Sequence, residues 1–289
     1  MMTRFAAVFA ACLLAAPAQA ELFLWEVRSM TNSAWLFGTI HGGNKDWFPL
    51  APAVEQALAE SDIVVVEADV TNVEALSKSV AAMAYTAPDE LAKHVDPKDY
   101  ERFRFHAARL RVPESTVKGL KPFTAVSILM FAEWERQGLQ PEYSIDAYVI
   151  AKARALKKTV VELEGVEAQS AIMDSLTEAE HRTAFAGTLT ALDEGLIGEQ
   201  IEGMVKAWQL GDAFLMLELS RRYNEKIPGA RAMEEKFIWS RHPAMLEKIE
   251  GYLNKSPKRH FIAVGALHLS GKRGLVELLK SKGYVVRQK

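Results

Sequence analysis

The sequence contains 289 residues, of which 49% are hydrophobic and 25% are charged, and its formal net charge is −2 at pH 7. These values are ordinary for a globular protein, and the near-neutral charge, without a basic stripe in the sequence, argues against nucleic-acid binding. Cys12 is the single cysteine. Because it falls in a segment that we expect to be removed, the processed chain has no disulfide, thiolate nucleophile or cysteine metal ligand.

Residues 1–20 have the pattern of a cleavable secretory signal peptide. Arg4 gives a weakly positive start, residues 5–16 form an uncharged apolar run, and Pro17-Ala18-Gln19-Ala20 has the A-x-A pattern of a signal-peptidase site. The run is shorter than the roughly 20 residues of a membrane-spanning helix. The mature chain, from Glu21, is therefore predicted to be soluble, without a transmembrane segment, and periplasmic or secreted; an uncleaved membrane anchor is the alternative.

The N-terminal part of the mature sequence predicts three strands and a short helix. Residues 22–27 and 34–41 are apolar runs with aromatic and β-branched residues, which is typical of strands. Residues 52–60 predict a short amphipathic helix with Pro52 in its first turn. Residues 63–66, Ile-Val-Val-Val, form a continuous β-branched run, which predicts a strand buried on both faces.

The rest of the sequence is helical in the middle and returns to strands at its end. The pattern is mostly helical from about residue 73 to residue 223, interrupted by one strand at 159–164. We predict an α/β fold with a mixed sheet built from N- and C-terminal segments, in a single domain, 21–289, with a helical insertion at about 73–223. The C-terminal elements are a long helix at about 231–253, kinked or interrupted at Pro243, a strand at 260–265, a helix near 274–282 and a strand at 284–286.

Two similar tetrapeptides follow predicted strands near opposite ends of the chain. They are Gly38-Thr39-Ile40-His41 and Gly265-Ala266-Leu267-His268, and loop glycines follow each of them. Ligands of α/β sheets gather where strands end, and a glycine three residues before each histidine permits close approach of a ligand or backbone segment. If the two strands are neighbours in the sheet, both imidazoles face one pocket.

Two histidines at such positions suit a divalent transition metal such as Mn, Co or Zn. Glu67, which ends the third predicted strand, is the best candidate for a third ligand, and Glu164, which ends the fourth, is a second candidate. Such a site leaves a position for water whose pKa the metal lowers, and a carboxylate that does not bind the metal is available as a general base. The alternative is structural: hydrogen-bonded histidines at a sheet edge and ordinary salt-bridged or solvated glutamates.

Other polar residues carry less information. His94, His106, His181 and His260 lie in polar or helical surroundings and are predicted to be surface residues. Arg241-His242-Pro243 interrupts the long predicted helix, and it either places a cation beside the site or simply kinks the helix. The sequence has no His-Glu-x-x-His motif, no Gly-x-Ser-x-Gly motif and no phosphate-binding glycine loop.

At these residues the sequence resembles the TraB/GumN family, whose relatives include the Tiki-type metalloproteases. The matching pieces occur in the family's order and cover nearly the whole mature chain. They are Phe37-Gly38-Thr39-Ile40-His41-Gly42-Gly43, Val66-Glu67-Ala68-Asp69, Leu120-Lys121-Pro122-Phe123, Leu163-Glu164-Gly165-Val166-Glu167-Ala168-Gln169, Trp208-Gln209-Leu210-Gly211-Asp212, Val264-Gly265-Ala266-Leu267-His268-Leu269-Ser270-Gly271 and Gly283-Tyr284-Val285-Val286.

The resemblance implies a metal-dependent hydrolase, and more narrowly a peptidase. It implies that His41 and His268 are the paired G-x-x-H histidines, with Glu67 as their acidic partner, and that Glu164, which falls on a family-typical glutamate, lines the site. One departure is visible. The family often has asparagine after the arginine at position 241, whereas this sequence has His242, which is either an extra ligand or a tolerated change.

Two hypotheses follow for function. In the first, the protein is an exported metal-dependent peptidase or related hydrolase: activated water attacks an amide carbonyl, Glu67 or Glu164 transfers protons, and Arg241 stabilises the oxyanion. In the second, it is a non-catalytic periplasmic binding protein that captures a peptide, pheromone, haem or metal. A role in polysaccharide export is a third option, suggested by one branch of the resembling family.

Overall fold

A mixed sheet of six strands lies at the centre of the protein. The computed structural model describes residues 21–289, and the predicted signal peptide, residues 1–20, lies outside the described residues. The strands are β1 (Leu24–Arg28), β2 (Ser33–Thr39), β3 (Ile63–Val66), β4 (Thr159–Glu162), β5 (His260–Gly265) and β6 (Val285–Gln288).

The order of the strands brings the two ends of the chain side by side. Across the sheet the order is β4-β3-β5-β2-β1-β6. Strands β4, β3, β5 and β2 run parallel to one another, whereas β1 is antiparallel to both β2 and β6. The predicted α/β fold is therefore confirmed, since N- and C-terminal strands assemble one mixed sheet and β4 joins them from the middle of the sequence.

Helices cover both faces of the sheet and make up most of the middle of the chain. Within residues 21–289, no helix is both long and apolar enough to cross a membrane. The α-helices are α1 (Pro52–Glu60), α2 (Val73–Ala82), α3 (Pro97–Arg109), α4 (Glu114–Val117), α5 (Pro122–Arg136), α6 (Ile145–Ala155), α7 (Val166–Asp174), α8 (Glu178–Asp193), α9 (Leu196–Gln209), α10 (Ala213–Lys226), α11 (Ala230–Phe237), α12 (His242–Lys255) and α13 (Leu275–Ser281).

Each face of the sheet has its own hydrophobic core. On β5, Ile262 and Val264 pack with residues of α12 and α13, whereas Phe261 and Ala263 pack with residues of α1 and α6. Because successive side chains of a strand point to opposite faces, a strand that is apolar at every position must be covered on both sides. A third apolar cluster, with residues of α3, α5 and α8, lies in the helical middle. The assignment of this region as an insertion in a single domain stays a prediction.

The long helix predicted before β5 is interrupted in the structure. Helix α11 ends at Phe237, and α12 begins at His242 with Pro243 in its first turn. Proline is tolerated at this position because its missing N–H would have no partner within the helix. The break leaves Arg241 immediately before α12, where its side chain reaches the sheet edge that carries the candidate site.

The prediction that the remaining histidines lie on the surface is wrong for His106, His181 and His260, which are buried. His106 lies with its Nε2 2.6 Å from a carboxylate oxygen of Asp193. His260 stacks on Tyr252 with ring centroids 4.5 Å apart. Polar sequence surroundings were misleading here, because a nearby carboxylate or aromatic ring allows an imidazole to be buried.

Gly38 is required by the close packing of two segments. A Cβ atom at this position would lie 2.3 Å from the Phe23 ring and 3.2 Å from the Cα atom of Ala266. The Phe23 ring is fully buried and cannot move aside without disturbing the core. We expect Gly38→Ala to lower the free energy of unfolding by ~1–3 kcal/mol through overpacking, measured by urea denaturation.

Gly251→Ala, within α12, is the matched control for this substitution. Nothing lies within 4 Å of a Cβ atom added at Gly251. Alanine has the higher helix propensity, so the free energy of unfolding should stay unchanged or rise by up to ~1 kcal/mol. Equal destabilisation by the two substitutions would contradict the packing argument.

Candidate functional site

The register of the parallel strands brings the predicted site residues to one edge of the sheet. Thr39 of β2 pairs with Gly265 of β5, so His41 and His268 follow neighbouring strands at the same end. Glu67 directly follows β3, which pairs with β5 on its other side. Glu164 comes two residues after β4, the next strand. This carboxyl edge of parallel strands is where α/β proteins place their ligands.

Arg241 lies at the centre of the site and binds two carboxylates. Its Nε donates to both carboxylate oxygens of Glu164, at 3.1 and 3.0 Å. Its Nη2 donates to Glu67 Oε2 at 2.5 Å and also to Glu164. Its Nη1 donates to the backbone carbonyl of Phe237 at 2.7 Å and to His268 Nε2 at 3.1 Å. All five N–H groups of the guanidinium are thus engaged.

Glu67 is buried and receives hydrogen bonds on both oxygens. The backbone N–H of Gly265 donates to Oε1 at 2.5 Å, and Gln169 of α7 donates to Oε2 at 3.1 Å. Burial alone would raise the pKa of Glu67, but the guanidinium of Arg241, the charge of His41 and the Gly265 amide hold it well below its ordinary value. Glu67 is therefore ionised at neutral pH and has a fixed orientation.

His268 is a buried, neutral histidine that contacts both Glu67 and a second histidine. Its Nε2 lies 3.5 Å from Glu67 Oε1, and its Nδ1 lies 2.9 Å from Nε2 of His242. Burial is the main reason that the pKa of His268 falls to about 3, and the adjacent Arg241 lowers it further. The imidazole is therefore uncharged at neutral pH, and Nε2 faces the carboxylate of Glu67.

His41 lies at the exposed side of the site, paired with Asp146. Its Nδ1 is 3.0 Å from Asp146 Oδ2, and Thr39 Oγ1 donates to the other carboxylate oxygen at 2.6 Å. The negative charge of Asp146 raises the pKa of His41 to about 9. The His41 side chain is 54% exposed, whereas that of Asp146 is 12% exposed. At neutral pH the His41 ring is therefore charged, and its Nε2 could bind a metal only after releasing its hydrogen, while Asp146 keeps Nδ1 engaged.

Direct contacts join four of the five residues that the sequence predicts for the site, namely Glu67, Glu164, Arg241 and His268. Sequence reasoning missed Asp146 of α6 and gave no role to Gln169 of α7, which it named only as part of the family-like segment 163–169. Asp146 lies in the first turn of α6, where an acidic residue is expected for reasons of helix electrostatics alone, so its position gave no functional signal.

Residues 23–288 match the model of the TraB/PrgY/gumN family. The chain belongs to this family. No solved structure matches it significantly.

Two kinds of curated relative within the family resemble the chain. The Uncharacterized protein YbaP of Escherichia coli (strain K12) is 24% identical over 253 residues, which cover 85% of this chain and 87% of the relative. Metalloprotease TIKI1 of Danio rerio is 22% identical over 321 residues, covering 91% of this chain and 62% of the relative, and that of Homo sapiens is 23% identical, covering 93% and 63%. The chain thus spans less than two thirds of the TIKI1 proteins.

The donors at the site suit a metal ion in kind, but they are not assembled as a complete ligand shell. The separation of 3.5 Å between His268 Nε2 and Glu67 Oε1 is close to the ~3.4 Å between two ligands of one tetrahedral zinc ion. Glu67 and Glu164 share one guanidinium, so a further cation would balance the charge. Among residues 21–289, however, no group of three or more His, Cys, Asp or Glu is placed to hold a metal, and Arg241 donates to the nitrogen that would bind it.

Replacement of Arg241 should destabilise the protein strongly. Arg241→Met removes the guanidinium and leaves two largely buried carboxylates without a cation, so we expect the free energy of unfolding to fall by ~3–5 kcal/mol. Adding Glu164→Gln to this variant should recover part of the loss, because one of the two negative charges is removed. Urea denaturation of the single and double variants measures both effects.

Arg104→Met on α3 is the matched control. Arg104 is 51% exposed and pairs with Glu101, which is 70% exposed. Exposed ion pairs contribute little, so the expected loss is ~0–1 kcal/mol. The interpretation of Arg241 would be wrong if both arginine variants lost the same stability, or if Glu164→Gln lowered the stability of Arg241→Met further.

Proposed function

We propose that the protein is an exported, metal-dependent peptidase. The observation that carries this proposal is the 3.5 Å contact between Glu67 Oε1 and Nε2 of the buried His268, a nitrogen that accepts from Arg241, at the carboxyl edge of the sheet. Membership of a family whose relatives include proteins named metalloproteases supports the reaction class. The predicted signal peptide, residues 1–20, supports a periplasmic or secreted location, and a peptide or protein is the substrate class.

His41, Glu67 and His268 are the residues that would hold the ion, a divalent transition metal such as Mn, Co or Zn. Imidazole nitrogen and carboxylate oxygen are donors that these metals accept. The bound metal would polarise the scissile carbonyl and make a water molecule more acidic. Asp146 orients His41 through its Nδ1, and the amide of Gly265 orients Glu67 through its Oε1.

Glu164 is the carboxylate that remains for proton transfer. It is held by Arg241 rather than by a histidine, and its side chain is 11% exposed. As a general base it takes a proton from the attacking water, and as a general acid it returns a proton to the amine when the carbon–nitrogen bond breaks. These steps balance, since one water is consumed and one carboxylate and one amine are formed.

Arg241 serves first as an orienting residue. Its five N–H groups all bind protein acceptors, so none is available to an oxyanion while His268 accepts from Nη1. If another partner binds His268 Nε2, Arg241 loses this acceptor. The N–H of Arg241 Nη1 would then be free to donate to the oxyanion. Stabilisation of the oxyanion by Arg241 therefore depends on prior occupation of His268.

A non-catalytic binding protein is the second candidate function. It is favoured by the complete pairing of Arg241 and by the incomplete ligand shell among the described residues. In this function the 54% exposed His41 would contact a captured peptide, haem or metal ion. Turnover separates the two candidates, because capture without hydrolysis leaves a peptide library intact.

The experiment combines elemental analysis with cleavage of a peptide library. Purified wild-type protein should contain or take up a stoichiometric divalent metal, hydrolyse peptides, lose activity with a chelator and regain it with Mn, Co or Zn. His268→Ala and Glu67→Gln should lose metal affinity by ~10-fold or more and lose turnover, because each removes a ligand. The fold of each variant is checked by circular dichroism.

His94→Gln is the control, since His94 stacks on Tyr85 and binds Asp89, away from these residues. The His94→Gln variant should keep the metal content and the peptide hydrolysis of the wild type. Full hydrolysis by folded His268→Ala would rule out the assigned site. Binding of a peptide or haem by wild-type protein without any cleavage in the presence of each metal would favour the second candidate function.

A further inference from the structure

Two buried histidines contact each other beside the candidate site. His242 Nε2 and His268 Nδ1 are 2.9 Å apart, and each residue is 2% exposed. One hydrogen must lie between these two nitrogens, and either ring is chemically able to carry it. The direction of this hydrogen bond decides which nitrogen of His268 has a lone pair that faces Glu67.

The outer ends of the histidine pair fix that direction. At one end, His242 Nδ1 lies 2.7 Å from the backbone carbonyl oxygen of Arg273. A carbonyl oxygen only accepts, so His242 Nδ1 carries hydrogen. At the other end, Arg241 Nη1 lies 3.1 Å from His268 Nε2. A guanidinium only donates, so His268 Nε2 has no hydrogen.

A single assignment satisfies all four ring nitrogens of the pair. A neutral imidazole carries one hydrogen, so His268, which has none on Nε2, carries it on Nδ1. His242, which carries its hydrogen on Nδ1, accepts through Nε2. The hydrogen bond therefore runs from His268 to His242, and a second runs from His242 to Arg273.

The surroundings hold His242 in the required position. It is the first residue of α12, and Met245 and Ile249 of that helix are fully buried in the core above the sheet. The Trp239 ring packs edge-on against the His242 ring, with centroids 5.3 Å apart. The Arg273 guanidinium lies 5.3 Å from the Trp239 ring and donates two hydrogen bonds of 2.7 Å to Glu235, which fixes the segment whose carbonyl accepts from His242.

We propose that His242 is a positioning residue that fixes the tautomer of His268. By accepting from Nδ1, it keeps the lone pair of His268 on Nε2, directed at Glu67 and the reacting centre. This role extends the proposed function of the same site, but the tautomer of His268 is measurable without any catalysis. His242 then acts through His268 and is not itself a ligand, because both of its nitrogens are engaged by protein groups.

The primary test is ¹⁵N NMR of the ring nitrogens in histidine-labelled, chelator-treated full-length protein. In the wild type, His268 Nε2 and His242 Nε2 should give the signals of unprotonated nitrogen, and His268 Nδ1 the signal of protonated nitrogen. In His242→Leu, the Nδ1–H of His268 loses its acceptor and only the 3.1 Å contact of Arg241 still favours a bare Nε2, so His268 should become a mixture of the two tautomers. An Nε2–H signal for His268 in the wild type, or an unchanged tautomer in His242→Leu, would overturn the proposal.

Two conservative variants separate positioning from mere support of the fold. The amide of Gln reaches the position of Nε2 and can accept from His268, whereas the shorter amide of Asn matches Nδ1 and reaches only the carbonyl of Arg273. His242→Gln should therefore keep the His268 tautomer, with kcat within about 3-fold of wild type. His242→Asn and His242→Leu should lose the tautomer and ~10–100-fold in metal affinity or kcat, the usual cost of removing a partner of a ligand.

His260→Gln is the control, because His260 is equally buried but lies at the opposite end of β5. It should leave both the His268 tautomer and turnover unchanged. Equal tautomer signals in the Gln and Asn variants of His242 would overturn the proposal. If the wild type cleaves no peptide, the proposed function fails, whereas the NMR spectra of the same samples still decide the role of His242.

Discussion

Two carboxylates buried at one edge of the sheet impose the constraint on which the site depends. The side chains of Glu67 and Glu164 are 9% and 11% exposed. An ion removed from water to this extent costs several kcal/mol unless charges and hydrogen bonds replace its solvation. The guanidinium of Arg241 replaces part of the lost solvation of both Glu67 and Glu164. The position of Arg241 depends in turn on the break between α11 and α12, so the interrupted helix is a requirement of the site and not an irregularity of the fold.

The fold and the strand-end residues were predictable because their signals are local. β-branched and aromatic runs identify β2, β3 and β5, and parallel strands must end at a common edge, so Glu67 and the two G-x-x-H histidines were expected there. The sequence pattern does not give the alignment of the two strands. The register of β2 against β5 supplies it, since it places Thr39 opposite Gly265. Arg241 was expected beside the site as the cation that stabilises an oxyanion; that it holds both glutamates follows from three-dimensional packing.

The partners of these residues were not predictable, for a physical reason. Asp146 and Gln169 lie on helices, and their contacts depend on how α6 and α7 dock against the sheet. One contact that helps to place α6, beside its apolar packing on the sheet, is a backbone hydrogen bond from Ile145 to the carbonyl of Ile40, and backbone groups leave no trace in the residue pattern. The role of His242 was not predictable for the same reason, because a backbone carbonyl, that of Arg273, sets the direction of the hydrogen bond between His268 and His242. Buried His106 was misassigned because its neighbours in sequence are charged, while its partner Asp193 is distant in sequence.

The polarity of the hydrogen bonds determines what the site can accept. Arg241 has no unused donor, and His268 Nε2 is an acceptor that Arg241 now satisfies. A new partner for His268 Nε2 must therefore accept the lone pair of this nitrogen. It must also displace the Nη1–H of Arg241. The two glutamates against one guanidinium leave an excess of negative charge, which favours a cation, whereas the lost hydrogen bond opposes it. Affinity is the difference between these two effects, as it is wherever binding requires protein groups to give up existing partners. The network that keeps the carboxylates inside the fold thus also sets the cost of admitting a cation to the proposed site.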